Sequence, residues 1–168
     1  MEKINFVNKP NTDTPINDTN LNKMQDYIEE AIEKDIITCE LPDLNPINLP
    51  AWDRKQITQY TKLNQLYSRF TINEGIIIPT GTKAVLISAI VRTANVAGND
   101  TDVMLHIVKN GSSYYNTYDN VRSSKFITSS ITDFLLPVKE GDVLQLGIVV
   151  GLAGNYRLYG GYLTVKEI

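Results

Sequence analysis

From about Lys55 onward the apolar residues recur at every second position, and clusters of turn-forming residues break the pattern into short runs. That period allows strands and excludes helices. Thr101–Lys109 sets Val103, Leu105 and Ile107 against Asp102, Met104, His106 and Val108. Asn110-Gly111 follows at once, a strong short hairpin signal, because both central residues of a type I′ turn need positive φ. Residues 112–118 then read as the return strand. Residues 75–82 and 83–92 bracket a turn at Pro79–Gly81, and residues 126–138, 142–150 and 156–165 supply three further strands. Glu140-Gly141-Asp142 and residues 151–155 are the turns between the last three. Seven or eight short strands joined in this way imply an antiparallel sandwich or barrel.

Three motifs in order sharpen the reading. These are Ile107-Val-Lys-Asn-Gly111, then Leu136-Pro-Val-Lys-Glu-Gly-Asp-Val-Leu-Gln-Leu146, then the closing Tyr159-Gly-Gly-Tyr-Leu-Thr-Val165. Residues 54–168 thereby resemble the C1q/TNF-like jelly roll. That resemblance implies a head domain that assembles as a compact homotrimer. No aromatic F-x-x-P-x-x-G-x-Y signature precedes Thr101, so the resemblance does not assign the front strands.

Upstream the pattern is different. Residues 1–20 are crowded with Asn, Thr and Pro and offer little to bury beyond Ile4, Phe6, Val7 and Ile16, so they gain order only against another surface. Asn17 or Asp18 can cap a helix over residues 19–34. Its stripe of Leu21, Met24, Ile28, Ala31 and Ile32 opposes a face of Gln25, Asp26, Glu29, Glu30, Glu33 and Lys34. A helix this short is marginal alone, so the stripe packs on the β domain or on copies of itself; periodicity leaves both open. Residues 37–53 carry Pro42, Pro46 and Pro50, which forbid a helix and hold their neighbours extended. They read as an extended linker. Leu41, Leu44, Ile47, Leu49 and Trp52 are too apolar for a free spacer, so the linker is expected to lie along a surface with Trp52 as a packing anchor.

The leader Ile4-Asn-Phe-Val-Asn8, with Thr14-Pro-Ile-Asn-Asp-Thr-Asn-Leu-Asn-Lys-Met24 and the helix after it, resembles the N-terminus of phage tail, baseplate and tail-fibre proteins from phages of Gram-positive bacteria. The resemblance implies that residues 1–36 attach the chain to other virion tail proteins, through Ile4, Phe6, Pro15 and Ile16. It also favours the symmetric bundle, with Leu21, Met24, Ile28 and Ile32 in a trimer contact. The expected organisation is therefore mainly β: an attachment peptide and helix (1–36), an extended linker (37–53) and a jelly-roll β-sandwich head (54–168).

The totals narrow the function. A composition 42% hydrophobic and 21% charged supports a core. A net charge of −3 with scattered basic residues argues against nucleic acid. No apolar run approaches the ~20 residues that span a bilayer, so no membrane insertion is expected. Residues 1–20 lack the apolar core of a signal peptide, which points to synthesis in the cytoplasm; the resemblance to phage tail proteins implies that this is the host's and that the final place is the virion. Cys39 is alone, and reads as a small half-buried side chain near the linker.

No catalytic constellation stands out. His106 is the single histidine, on an alternating strand, and reads as a sheet-face residue. Asp100, Asp102, Asp119, Asp133, Glu140 and Asp142 fall mostly at strand ends and turns, where Asp serves local hydrogen bonding. Asp100 and Asp102 lack the dense ligand spacing of a calcium loop. The expectation is a protein that is not an enzyme and holds no metal or cofactor.

Tyrosine is the suggestive residue. Tyr114, Tyr115 and Tyr118 lie in one stretch, and Asn155, Tyr156 and Arg157 adjoin a Gly-rich turn. Flat rings beside amide and hydroxyl groups suit sugars, so these six are the candidate ligand residues, for a host cell-wall polysaccharide or teichoic acid. Tyr159 and Tyr162 are assigned instead to the subunit contact, where tyrosine is also enriched. The competing reading is a purely architectural baseplate, collar or decoration protein making only protein contacts.

Overall fold

The computed structural model describes residues 21–25, 35–63, 68–97, 100–117, 119–121 and 126–168. The chain divides into two units, residues 1–34 and 35–168. In the first, residues 21–25 are helical, within the expected helix; Leu21 is half-buried and Met24 exposed. Ile28, Ile32, Ile4, Phe6, Pro15 and Ile16 lie outside the described residues.

The second unit is all strand. In chain order these are β1 (Ile36–Leu49), β2 (Arg54–Ile57), β3 (Thr61–Lys62), β4 (Thr71–Ile72), β5 (Ile76–Ile77) and β6 (Ala84–Asn95). There follow β7 (Thr101–Lys109), β8 (Ser112–Asn116), β9 (Asp119–Val121), β10 (Ile127–Pro137), β11 (Val143–Val150) and β12 (Gly154–Glu167). One sheet has the order β10-β6-β12-β1-β3. The other runs β4-β5-β11-β7-β8, with β2 added to β11 and β9 to β7. Every named strand pair is antiparallel.

Residues 37–49, expected as a linker, are extended but not free: they form most of β1, paired with β12 from Ile36–Lys166 to Leu49–Gly154. The prolines are tolerated because of where they fall. Pro46 lies in the register shift between Leu44 and Ile47, and Pro50 just beyond the strand. On its other side β1 is paired by β3 only at Cys39 and Glu40, so Pro42 sits where that second ladder has ended. The sandwich therefore begins at residue 35 rather than 54. Cys39 is fully buried in β1 instead of half-buried, and burial pushes its thiol up to about 11. Trp52 is not a packing anchor; the residue is 62% exposed.

The inward positions alternate as the period requires. Ile37, Cys39 and Leu41 of β1, with Val85, Ile87, Ala89 and Val91 of β6, face Val103, Leu105 and Ile107 of β7 and Leu144, Leu146 and Ile148 of β11 across one core. β11 is buried on both faces, and at Gly147 the Arg54 side chain covers the outer one; a Cβ there would come within 2.9 Å of Arg54 Cγ and Cδ.

Two glycine-bearing turns fix the register. Asn110 and Gly111 adopt φ of 51° and 80°, as the hairpin reading requires. The Asn110 side chain also donates to Asp142 Oδ1 (2.7 Å) and accepts from the Val143 N–H (2.8 Å), which locks this turn to the one before β11. In β12 the register shifts between Leu158 and Gly161. A Cβ on Gly161 would stand 2.0 Å from the Ile90 carbonyl oxygen, so only glycine fits.

The boundary at residue 35 predicts the behaviour of truncations. Residues 35–168 should fold with a cooperative thermal transition, whereas residues 54–168, lacking β1, should show none. A cooperative 54–168 fragment would contradict the role given to β1.

Candidate functional site

An antiparallel sheet with one face to water normally sets polar side chains outward. The outer face of the five-stranded sheet does so only in part. Ile36 of β1, Ile90 of β6, Leu135 of β10 and Tyr159 and Tyr162 of β12 are all exposed, joined by Phe126 just before β10. Ser88, Thr128, Ser130, Thr132 and Thr164 lie among them, and Glu40, Asp43, Arg92, Arg157 and Lys166 are charged positions on the same face.

The Gly160-Gly161 bulge shapes this face. Without side chains there, a shallow depression of about 430 Å³ opens between β1, β6 and β12, lined in part by Glu40, Asp43, Ile90, Arg92, Tyr159 and Tyr162. Its rim is a stacked ladder. Arg92 lies over the Phe126 ring (4.5 Å), Phe126 meets Tyr159 edge to face (4.6 Å), and Arg157 covers Tyr159 (4.7 Å). Arg157 also pairs with Asp43 through Nη2 (2.9 Å) and Nε (3.2 Å), and this carboxylate, first by hydrogen bonding and then by charge, holds its guanidinium above the ordinary value. Tyr159 and Tyr162 thus fall together on one exposed surface. The ring ladder was not foreseen, because Phe126 and Arg92 are distant in sequence and only the β10–β6–β12 order unites them.

The six candidate ligand residues are not gathered into one site. Tyr114 and Tyr115 are on β8 of one sheet; Asn155, Tyr156 and Arg157 are on β12 of the other. Tyr118 lies outside the described residues. Tyr156 is a core residue, 1% exposed, with its hydroxyl donating to the Leu152 carbonyl (2.6 Å). The alternating period of β12 placed it inward, a signal the adjacent glycines obscured. Tyr114 is the extra residue of a bulge, since Ile107 pairs with Tyr115 and Val108 with Ser113. Its ring packs under Lys109 Nζ (4.5 Å), and Tyr115 stacks on Phe134 (4.6 Å). Both remain substantially exposed.

No family model and no curated protein matches the sequence. Solved structures do match the fold. The Eiger TNF of S. frugiperda is similar at TM-score 0.56 and 12% identity, covering 80% of this chain and 92% of that one. Murine APRIL is similar at TM-score 0.53 and 10% identity, covering 80% of this chain and all of that one. The vertex protein P5 of PRD1 is a looser match, at TM-score 0.48 and 16% identity. The fold is a TNF-like jelly roll.

On the opposite sheet of the jelly roll, His106 occupies the sheet face of β7, with Nδ1 2.7 Å from Ser113 Oγ. Burial, and then the charge of Arg54, lower its pKa below the ordinary 6.5. Asp142 balances differently. Burial alone would raise its carboxyl, but the Asn110 amide, the Lys139 N–H and the charges of Lys109 and Lys139 outweigh it and hold the pKa below the usual range.

A depressed histidine pKa means that the unfolded chain takes up a proton before the folded one does. The stability His106 contributes is present above pH 6.5 and is lost as pH falls through 6.5 toward the lower folded value. The thermal midpoint should therefore drop between pH 7.5 and 5.5, and His106→Gln, which removes the single histidine, should flatten that interval. An unchanged slope in the variant would contradict the assignment. The Asp142 contribution is lost separately, below about pH 4.

Proposed function

We propose that this chain is a structural protein of a phage virion, of the tail, tail fibre or baseplate, assembled as a homotrimer. Residues 1–34 attach it to other tail proteins, and the jelly roll is a head that binds a host cell-wall glycan without turnover. The attachment role rests on the likeness of the leader to phage tail proteins. Association rests on one observation above all: the outer face of the five-stranded sheet exposes Ile36, Ile90, Leu135, Phe126, Tyr159 and Tyr162 among hydroxyl and charged side chains. Six exposed aromatic and aliphatic side chains on one sheet face suit a subunit contact, which typically buries roughly 800 Å² per partner. Three copies on one axis would also present three equivalent ligand sites, so that weak contacts become tight by multivalency.

The architectural reading, with protein contacts alone, is favoured by a different observation. The exposed hairpin rings Tyr114 and Tyr115 already have intramolecular partners in Lys109 and Phe134. Binding of isolated host wall polymer by the head separates the two readings.

Sedimentation equilibrium tests the assembly. Residues 35–168 should run at three times the protomer mass, and Ile90→Arg should reduce this to one protomer while keeping a cooperative thermal transition. A monomeric wild-type head would overturn the proposed contact.

A further inference from the structure

Three copies around a closed axis cannot rely on one self-complementary patch; each must offer two different patches that fit one another. The outer face of the five-stranded sheet divides into two such halves. One is β1 with β12, the other β6 with β10, and the pairing of β12 with β6 joins them. Alternation fixes which side chains point outward. Glu40 lies between buried Cys39 and Leu41, Arg92 between buried Val91 and Thr93, and Lys166 directly opposite exposed Ile36. Asp133 sits in the β10 register shift, where its Oδ1 accepts from the Ser88 hydroxyl (3.0 Å). Ser88 in turn is opposite Thr164 on the same face.

Asp43 and Arg157 neutralise one another within the protomer. The other charges on the face do not. Among the described residues Glu40 and Lys166 have no ion pair, Arg92 lies over the Phe126 ring, and Asp133 bonds to Ser88. Their order is informative, because β1 and β6 run in the same direction, both antiparallel to β12. On the first half Lys166 is level with Ile36, and Glu40 stands four residues further along β1, about 13 Å at ~3.3 Å per residue. On the second half Asp133 is level with Ser88, and Arg92 stands four residues further along β6. The two series therefore have the same spacing and opposite signs. The second begins two residues higher, about 7 Å, which the long lysine and arginine stems span. Ile36, Tyr159 and Tyr162 belong to the first half, and Ile90, Leu135 and Phe126 to the second or its margin.

We propose that copies of this chain join half to half, β1–β12 of one against β6–β10 of the next with strands in the same direction, Glu40 facing Arg92 and Lys166 facing Asp133 across each contact. This pairing rests on the threefold assembly proposed above and names the two patches that close its ring. Like charges brought together at a contact are costly, so an arrangement that sets Glu40 against Glu40 or Arg92 against Arg92 is rejected. Opposite charges at two heights fix the register of one copy on the next, while the apolar residues around them supply the dry area. Every contact consumes one half from each copy. The third copy meets the two halves still free, and no patch remains to extend the assembly.

Charge exchange in the intact chain tests the pairing, read by sedimentation equilibrium over a range of concentrations. Glu40→Arg and Arg92→Glu should each raise the concentration at half-dissociation at least about tenfold, and the double variant should return it to within about threefold of wild type. Both positions are exposed, so the far-ultraviolet circular dichroism of every variant should match wild type. Added salt should weaken the wild-type association and have little effect on Glu40→Gln/Arg92→Gln. A trimer indifferent to both single exchanges, a double variant no better than the singles, or a wild-type association unmoved by salt overturns the pairing and leaves the threefold assembly in place. Rescue of Glu40→Arg by Lys166→Glu instead of Arg92→Glu also overturns it, because that sets like halves together antiparallel and closes a dimer. A monomeric wild-type chain overturns the pairing and the assembly together.

Discussion

The pairing of β1 with β12 is the constraint on which the rest of the molecule depends. It runs along almost the whole length of both strands, and β12 is held on its other side by β6. Removing β1 would expose the inner side of Ile37, Cys39 and Leu41's partners and leave β12 as an unprotected edge. The same pairing sets the depression on the outer face, because the β12 bulge at Gly160-Gly161 lies against Leu41 and Ile90. It also carries the chain from residue 35 along the length of the sheet, so that Trp52 emerges at the far end of the head.

Much of the β architecture was legible because its signals were local. Alternation along Thr101–Lys109 and positive φ at Asn110-Gly111 required no tertiary information, and β7 and the following turn lie where the pattern puts them. β1 was not legible as a sheet strand. Three prolines in residues 42–50 resemble a linker, and only the sheet order reveals that they fall at a register shift, beyond the strand end or beside an open edge. The excess of Leu and Ile in that stretch was the available clue. The short β2, β3, β4 and β9 were illegible for another reason: two to four residues carry too little periodicity to be seen.

The candidate site was readable in residue type and not in place. Tyr159 and Tyr162 do share an exposed surface, as the aromatic clustering suggested. The six expected sugar contacts do not, since β8 and β12 belong to different sheets and the period of β12 turns Tyr156 inward. Trp52 was discounted because its neighbours are apolar. Its exposure follows from the loop's left-handed backbone, which no sequence pattern announces. The head therefore offers three separate surfaces: a sheet face with exposed apolar residues suited to copies of itself, a hairpin whose rings are already engaged, and the turn after β1, which leaves an indole outward. The proposed function assigns association to the first.

Amide hydrogen exchange on residues 37–49 tests the central claim most directly. If β1 is an integral strand, the bonded amides of Ile37–Leu41 should exchange as slowly as their β12 partners Leu163–Val165, through opening of the whole sandwich. Exchange of residues 37–49 at the rate of an unstructured peptide, while β12 stays protected, would contradict the account.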